Sequence, residues 1–180
     1  TTFSVLEDDP KLGKFINFDL GVFYLSYENR IGTITQDGAP FKTNIGASVS
    51  QGVESYIEID LVKAFTNNEK FGNLSLFASN AFIDAKYSKW NNPAIAEDPL
   101  KSIKDKKVEY APAYIHRFGA TYNYKKFSST IQYNTTAAVY TDAVNTELPN
   151  AAATVGKLPA YQIIDFNFSL RFLENYNVKA

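Results

Sequence analysis

Apolar and polar positions alternate along most of this chain. In PAYQIIDFNFSLRF, residues 159 to 172, Ile164, Phe166, Phe168, Leu170 and Phe172 fall on one side, with Ile163, Asp165, Asn167, Ser169 and Arg171 on the other. Successive side chains of a strand point to opposite faces, so the segment reads as a β-strand with one apolar and one polar side. The same period recurs upstream. Ile16, Phe18, Leu20, Val22 and Tyr24 oppose Asn17, Asp19 and Gly21, and the pattern weakens enough after Tyr24 to predict a bulge or bend near Leu25 to Glu28. Val53, Ser55, Ile57, Ile59 and Leu61 oppose Glu54, Tyr56, Glu58 and Asp60. Leu74, Leu76 and Ala78 oppose Asn73, Ser75 and Ser79. Phe118, Ala120, Tyr122 and Tyr124 oppose Arg117, Gly119, Thr121 and Asn123, and Phe127, Ser129, Ile131 and Tyr133 oppose Ser128, Thr130, Gln132 and Asn134. An all-β antiparallel fold with about six full strands and the start of a seventh at YNVKA follows.

The connections sort into two kinds. Short polar turns are expected at 66–70, at Lys125 and Lys126 and at Glu174 and Asn175, and long loops at 89–112 and 141–158, with 36–40 a smaller member of the long set. From residue 66 onward the two kinds alternate, which in an antiparallel meander puts tight turns at one end and long loops at the other. Phe65, Phe71, Tyr122, Tyr124, Phe127 and Phe172 lie near the tight-turn end. Tyr87, Trp90, Tyr110, Tyr114, Tyr140 and Tyr161 lie near the long-loop end.

Alternation alone does not say which side is the inside. An apolar face turned inward makes a soluble barrel or sandwich. The same face turned toward lipid makes a membrane barrel with a wet lumen, short turns at one rim and longer loops at the other. Two bands of aromatic rings would then mark two membrane interfaces. Strands of 12 to more than 20 residues, as the pattern predicts, are long for a sandwich and suit tilted membrane strands.

Composition narrows the classes. The chain has 180 residues and a formal net charge of -1, with no basic excess of the kind nucleic-acid binding requires. Fourteen Phe, twelve Tyr and one Trp favour strands. No Cys is present, which removes disulfides, thiol chemistry and cysteine metal sites. There is no Met even at position 1, so a processed or partial chain is expected. No apolar run reaches the roughly 18 residues of a transmembrane helix, which leaves membrane strands untouched.

Catalysis has little to rest on. His116 is the one histidine and reads as a surface or girdle residue rather than a base. Glu54, Glu58 and Asp60 align along one strand face. They could hold a metal, but more naturally line a hydrated lumen and meet cations from neighbouring strands. Lys101, Lys104, Lys106 and Lys107 form a run that reads as a solvated loop able to attract anions. No phosphate-cradling glycine loop occurs. The expectation is no enzyme, no catalytic, cofactor or metal residues, and unassigned ligand contacts.

Four stretches carry a resemblance: FDLGVFYLSYENRIGTI (18–34), KTNIGASVSQGVESYIEIDL (42–61), VEYAPAYIHRFGATYNYKKFSSTIQYNTTAAVYTDAVNT (108–146) and GKLPAYQIIDFNFSLRF (156–172). Asn44-Ile45-Gly46 before Gly52-Val53-Glu54, Val108-Glu109-Tyr110-Ala111-Pro112 before Arg117, and Tyr140-Thr141-Asp142 before Pro159-Ala160-Tyr161 are its pieces. In this order and spacing they resemble the barrel of TonB-dependent outer-membrane receptors, and most of all the ferric-dicitrate type from Bacteroidetes-like bacteria. The resemblance implies a transmembrane barrel of about 22 strands around a plug. It also implies uptake of a ferric siderophore or other scarce nutrient in the outer membrane of a Gram-negative bacterium. Outer-membrane lipid, the plug and TonB would be its partners, and loops 89–112 and 141–158 its ligand gates. Residues 1–180 would form one segment toward the C-terminal part of such a barrel, with no plug recognisable among them. A soluble β-barrel binding module and a small autonomous outer-membrane barrel are the alternatives.

Overall fold

A computed structural model describes residues 2–3, 15–36, 39–66, 68–90, 102–152, 154–173 and 176–179. The strands are β1 (Thr2–Phe3), β2 (Ile16–Gln36), β3 (Ala39–Asp60), β4 (Asn73–Lys89), β5 (Tyr114–Tyr124), β6 (Phe127–Thr136), β7 (Val139–Tyr140), β8 (Lys157–Leu158), β9 (Tyr161–Leu173) and β10 (Tyr176–Lys179). Eight of them form one antiparallel meander in the order β1-β2-β3-β4-β5-β6-β9-β10, and β7 and β8 make a separate hairpin. The sheet does not close on itself within this chain. β2 and β3 run to 21 and 22 residues, the lengths that alternation predicted.

The register shows why the alternation holds across the sheet. Directly opposed residues of an antiparallel pair share a face. Phe18, Ile57, Ala78, Phe118, Tyr133 and Ile164 are successive partners, and one row on, so are Asn17, Glu58, Phe77, Gly119, Gln132 and Asp165. The six individual patterns thus merge into one apolar and one polar face. Nothing among the described residues covers the apolar one: Ile164 is 71% exposed, Phe166 61% and Phe82 56%.

Several local predictions shift. The polar turn expected at 66–70 begins earlier, because Leu61–Phe65 forms one helical turn followed by a 3-10 turn at Glu69–Phe71. Asp60 caps it, its Oδ1 accepting from the Lys63 N–H at 3.0 Å and its Oδ2 from Asn73 Nδ2 at 3.0 Å. The bulge falls at the end of the expected stretch, between Tyr27 and Arg30, where Glu28 and Asn29 together oppose one residue of β3. Asn29 has φ 53° and Gly46, on the facing strand, φ 117°. A side chain at Gly46 would land 2.0 Å from the Lys89 carbonyl, so only glycine fits there. β6 breaks off at Thr136, before the loop expected from 141, and Val139–Tyr140 leaves the main sheet to pair with Lys157–Leu158 inside the second long loop. The turn at Lys125 and Lys126 is a two-residue hairpin with Lys125 at φ 52°. The tips of the turns at 36–40 and 174–175, and residues 91–101 of the first long loop, lie outside the described residues.

Two glycines on the polar face serve as seats for aromatic rings. Phe77 opposes Gly119 and Phe23 opposes Gly52. A Cβ at Gly119 would lie 2.4 Å from the Phe77 ring and 2.7 Å from the Ile131 carbonyl. Each ring therefore lies against bare backbone and shields the strand that glycine weakens. Gly119→Val should destabilise the full-length protein by about 1 to 3 kcal/mol through overpacking. Thermal unfolding in detergent checks this, and an unchanged melting temperature would contradict it.

Candidate functional site: polar face and joined loops

The polar face carries a hydrogen-bonded wall. Asp165 Oδ2 accepts from Asn134 Nδ2 at 2.7 Å and from Gln132 Nε2 at 3.1 Å, and Arg117 Nε donates to Asn134 Oδ1 at 2.9 Å. Thr121 and Thr130 meet through their hydroxyls at 3.0 Å. On β3, Tyr56 donates to Glu58 at 3.0 Å, while Glu54 stands exposed. These groups satisfy one another, mostly across neighbouring strands, while remaining open to water, which suits the wall of a hydrated passage.

At the long-loop end the same face is covered. Residues 105–113 fold back antiparallel along β4: the Val108 N–H donates to the Ala85 carbonyl at 3.0 Å, the Tyr87 N–H to the Lys106 carbonyl at 2.9 Å and the Ile83 N–H to the Ala113 carbonyl at 2.9 Å. On the polar side of this added strand Tyr87 and Ala85 pack with Val108 of the strap and with Ile103 and Ala143 in a buried apolar cluster. Tyr87 is thus an inward anchor, not the interface ring its position suggested. Its hydroxyl donates to Glu109, whose other oxygen lies 3.7 Å from Arg30 Nη2. Arg30 also donates to Ser48 Oγ at 3.3 Å and lies 5.8 Å over the Tyr87 ring. The bulge makes this assembly possible, since one extra residue in β2 turns Arg30 onto the polar face.

The second loop has its own clasp beyond the main sheet. Lys157 Nζ lies 3.0 Å from Glu147 Oε2 and 5.1 Å from the centre of the Tyr140 ring, and Tyr140 donates to the other Glu147 oxygen. The hydrogen bond from Tyr140, then that from Lys157, holds the Glu147 carboxyl below its usual range. The bond to Glu147 raises both Tyr140 and Lys157.

Of the residues singled out in the sequence, His116 sits on the apolar face, stacked on Tyr114 at 4.9 Å with the Phe82 ring edge-on at 4.9 Å. Glu54, Glu58 and Asp60 are not brought together: Asp60 serves the turn, with Lys63 Nζ at 3.0 Å, while Glu58 pairs with Tyr56. Among the described residues no group of three or more His, Cys, Asp or Glu could hold a metal ion. Lys101 lies outside the described residues, Lys104 and Lys107 are exposed, and Lys106 donates to the Val144 carbonyl at 2.8 Å. The Arg30–Tyr87–Glu109 group escaped sequence reasoning because it joins three segments distant in the chain. Only the broken alternation after Tyr24 hinted at it.

A family described as TonB dependent receptor-like, beta-barrel matches residues 9–180. The chain belongs to this family. Its barrels are outer-membrane proteins of Gram-negative bacteria. No curated protein matches the chain. Among solved structures it is similar to the ferric citrate transporter FecA in the unliganded form, with TM-score 0.71 and 17% identity over 91% of this chain. It is also similar to the copper transporter OprC, with TM-score 0.62 and 16% identity over 92%, and to the siderophore receptor PiuA from Acinetobacter baumannii, with TM-score 0.62 and 14% identity over 99%. At these identities the likeness is one of fold. The chain spans 22% of the length of each of the three.

Two predictions follow from the strap and the clasp. Glu109→Ala leaves Arg30 and the Tyr87 hydroxyl without their shared partner, so trypsin should cut at Lys104, Lys106 and Lys107 about tenfold faster in the full-length protein. An unaltered cleavage rate would contradict the anchor. The lowered Glu147 pKa makes the clasp's contribution complete above the ordinary carboxyl value of 4.5 and lost as pH falls through the lower folded value. The raised Lys157 pKa makes the lysine's contribution complete below 10.5 and lost only above the higher folded value. A nitroxide at Leu148 should therefore keep one mobility from about pH 5 to about pH 9 and loosen below that window. Glu147→Gln should abolish the acid transition, and an acid transition that persists in Glu147→Gln would contradict the assignment.

Proposed function

We propose that residues 1–180 form part of the barrel wall of an outer-membrane receptor that takes up an iron chelate of the ferric-dicitrate or siderophore kind, with energy delivered through TonB. The observation that carries this reading is the distribution of burial. The apolar face, with Phe82, Phe118, Ile131, Ile164, Phe166 and Phe168, is open, while the buried cluster lies on the polar face beneath a loop. A soluble barrel would place its core on the apolar face. A membrane barrel leaves that face to lipid and fills its inside with water, polar side chains and folded loops. The names of two structurally similar proteins, a ferric citrate transporter and a siderophore receptor, support an iron chelate as cargo.

On this reading the Arg117, Asn134, Asp165 and Gln132 wall lines the passage beside a plug. Loops 89–112 and 141–158 face the exterior and capture the ligand. Cargo moves when the plug shifts under TonB, and this chain's share is to hold the loops over a rigid wall. The experiment is uptake of radiolabelled iron as ferric citrate by cells with and without the full-length protein. Loss of the protein should reduce accumulation to the level of a TonB-deficient strain. Uptake unchanged on its loss, or unchanged when TonB is absent, would contradict the assignment.

A further inference from the structure

The two long loops leave different strand pairs, yet they meet through main-chain and side-chain hydrogen bonds. The Tyr110 N–H donates to the Tyr140 carbonyl at 2.9 Å, and Lys106 Nζ reaches the Val144 carbonyl at 2.8 Å. Next to Val144 sits Asn145. Its Oδ1 accepts from the Lys107 N–H at 2.8 Å and its Nδ2 donates to the Lys107 carbonyl at 2.8 Å. A carboxamide offers one acceptor and two donors, so it can give Lys107 both bonds that a neighbouring strand residue would give. The backbone is arranged for this task. Asn145 lies at φ 56°, a left-handed conformation that asparagine tolerates better than most residues. Its N–H is tied to the Asp142 carbonyl at 3.2 Å, and the Asp142 carboxylate receives the Thr146 hydroxyl at 3.0 Å. Two residues earlier, Ala143 is buried with Ile103 and Val108 of the other loop.

We propose that Asn145 is a positioning residue that joins residues 102–112 and 141–158 into one body seated on Tyr87, so that the surface they offer a ligand is assembled beforehand and moves as a unit. That these loops face a ligand rests on the function proposed above; the joint itself does not. A surface already ordered spares binding the entropic cost of fixing two loops separately.

The test is hydrogen exchange on the full-length protein in lipid nanodiscs, comparing the parent with Asn145→Gly and Asn150→Ala. Asn145→Gly keeps the left-handed turn and deletes both bonds to Lys107. Asn150→Ala removes only bonds within the second loop, to Thr154. The amides of Asp105, Lys106 and Val108 bond to Tyr87, Ile103 and Ala85, not to Asn145, so they report on the whole strap. In Asn145→Gly they should exchange about tenfold faster together with the amides of 142–146, and in Asn150→Ala they should be unchanged. Acceleration confined to 142–146 in Asn145→Gly would overturn the proposal. Should that variant fail to assemble, nitroxides at Lys104 and Leu148 in the otherwise unaltered protein decide the matter. One narrow distance supports a single body, and a broad or divided distribution refutes it. Neither readout uses transport, so failure of the uptake reading is a separate result.

Discussion

The antiparallel ladder is the constraint on which everything else rests. A backbone that passes through hydrocarbon must satisfy each N–H and C=O within the protein, and strands do so only by pairing with both neighbours. From β2 to β9 the pairing is continuous along the rows that link Phe18 to Ile164. Because the side-chain period is two, a slip of one residue in any strand would send its polar set to the apolar face. The ladder therefore fixes the faces, and the faces fix where water and lipid belong.

Departures from the ladder are concentrated where the chain binds its own loops. The bulge at Glu28 and Asn29, facing the left-handed Gly46, brings Arg30 to the polar face. There it meets Glu109 of the strap, and both hold Tyr87. Residues 105–113 then extend the partner surface of β4 beyond the end of β5, so the loop begins as a continuation of the sheet. The polar face is thus open at mid-sheet and covered at the long-loop end, where the buried cluster among the described residues lies.

Much of the sheet was legible because it is written in a local period. Phe166, Asn167 and Phe168 declare their faces without knowledge of any neighbour, and six strands in a meander need no long-range information to be ordered. The loops are another matter. Tyr87 was taken for an interface ring because its place near a strand end is visible in the sequence and the loop residues that bury it, Ile103, Val108 and Ala143, are not. Leu61 continued the apolar row of β3, but Asp60 capping Lys63 turned the chain into a helix there. The Val139–Tyr140 pair looked like the end of β6, and only its partners Lys157 and Leu158, far along the chain, draw it into a separate hairpin. The contacts of Arg30, Glu109 and Asn145 depend on long separations and on left-handed backbone that no apolar period encodes.

The most direct measurement is an accessibility scan of nitroxides along 163–172 in the full-length protein in bilayers, using oxygen and a water-soluble nickel complex as relaxing agents. High oxygen access at Phe166, Phe168 and Leu170, alternating with nickel access at Asn167 and Ser169, is the predicted result, because the apolar face meets lipid and the polar face meets water. Shielding of the apolar positions from both agents would mean a buried core on that face, and the membrane barrel would have to be given up.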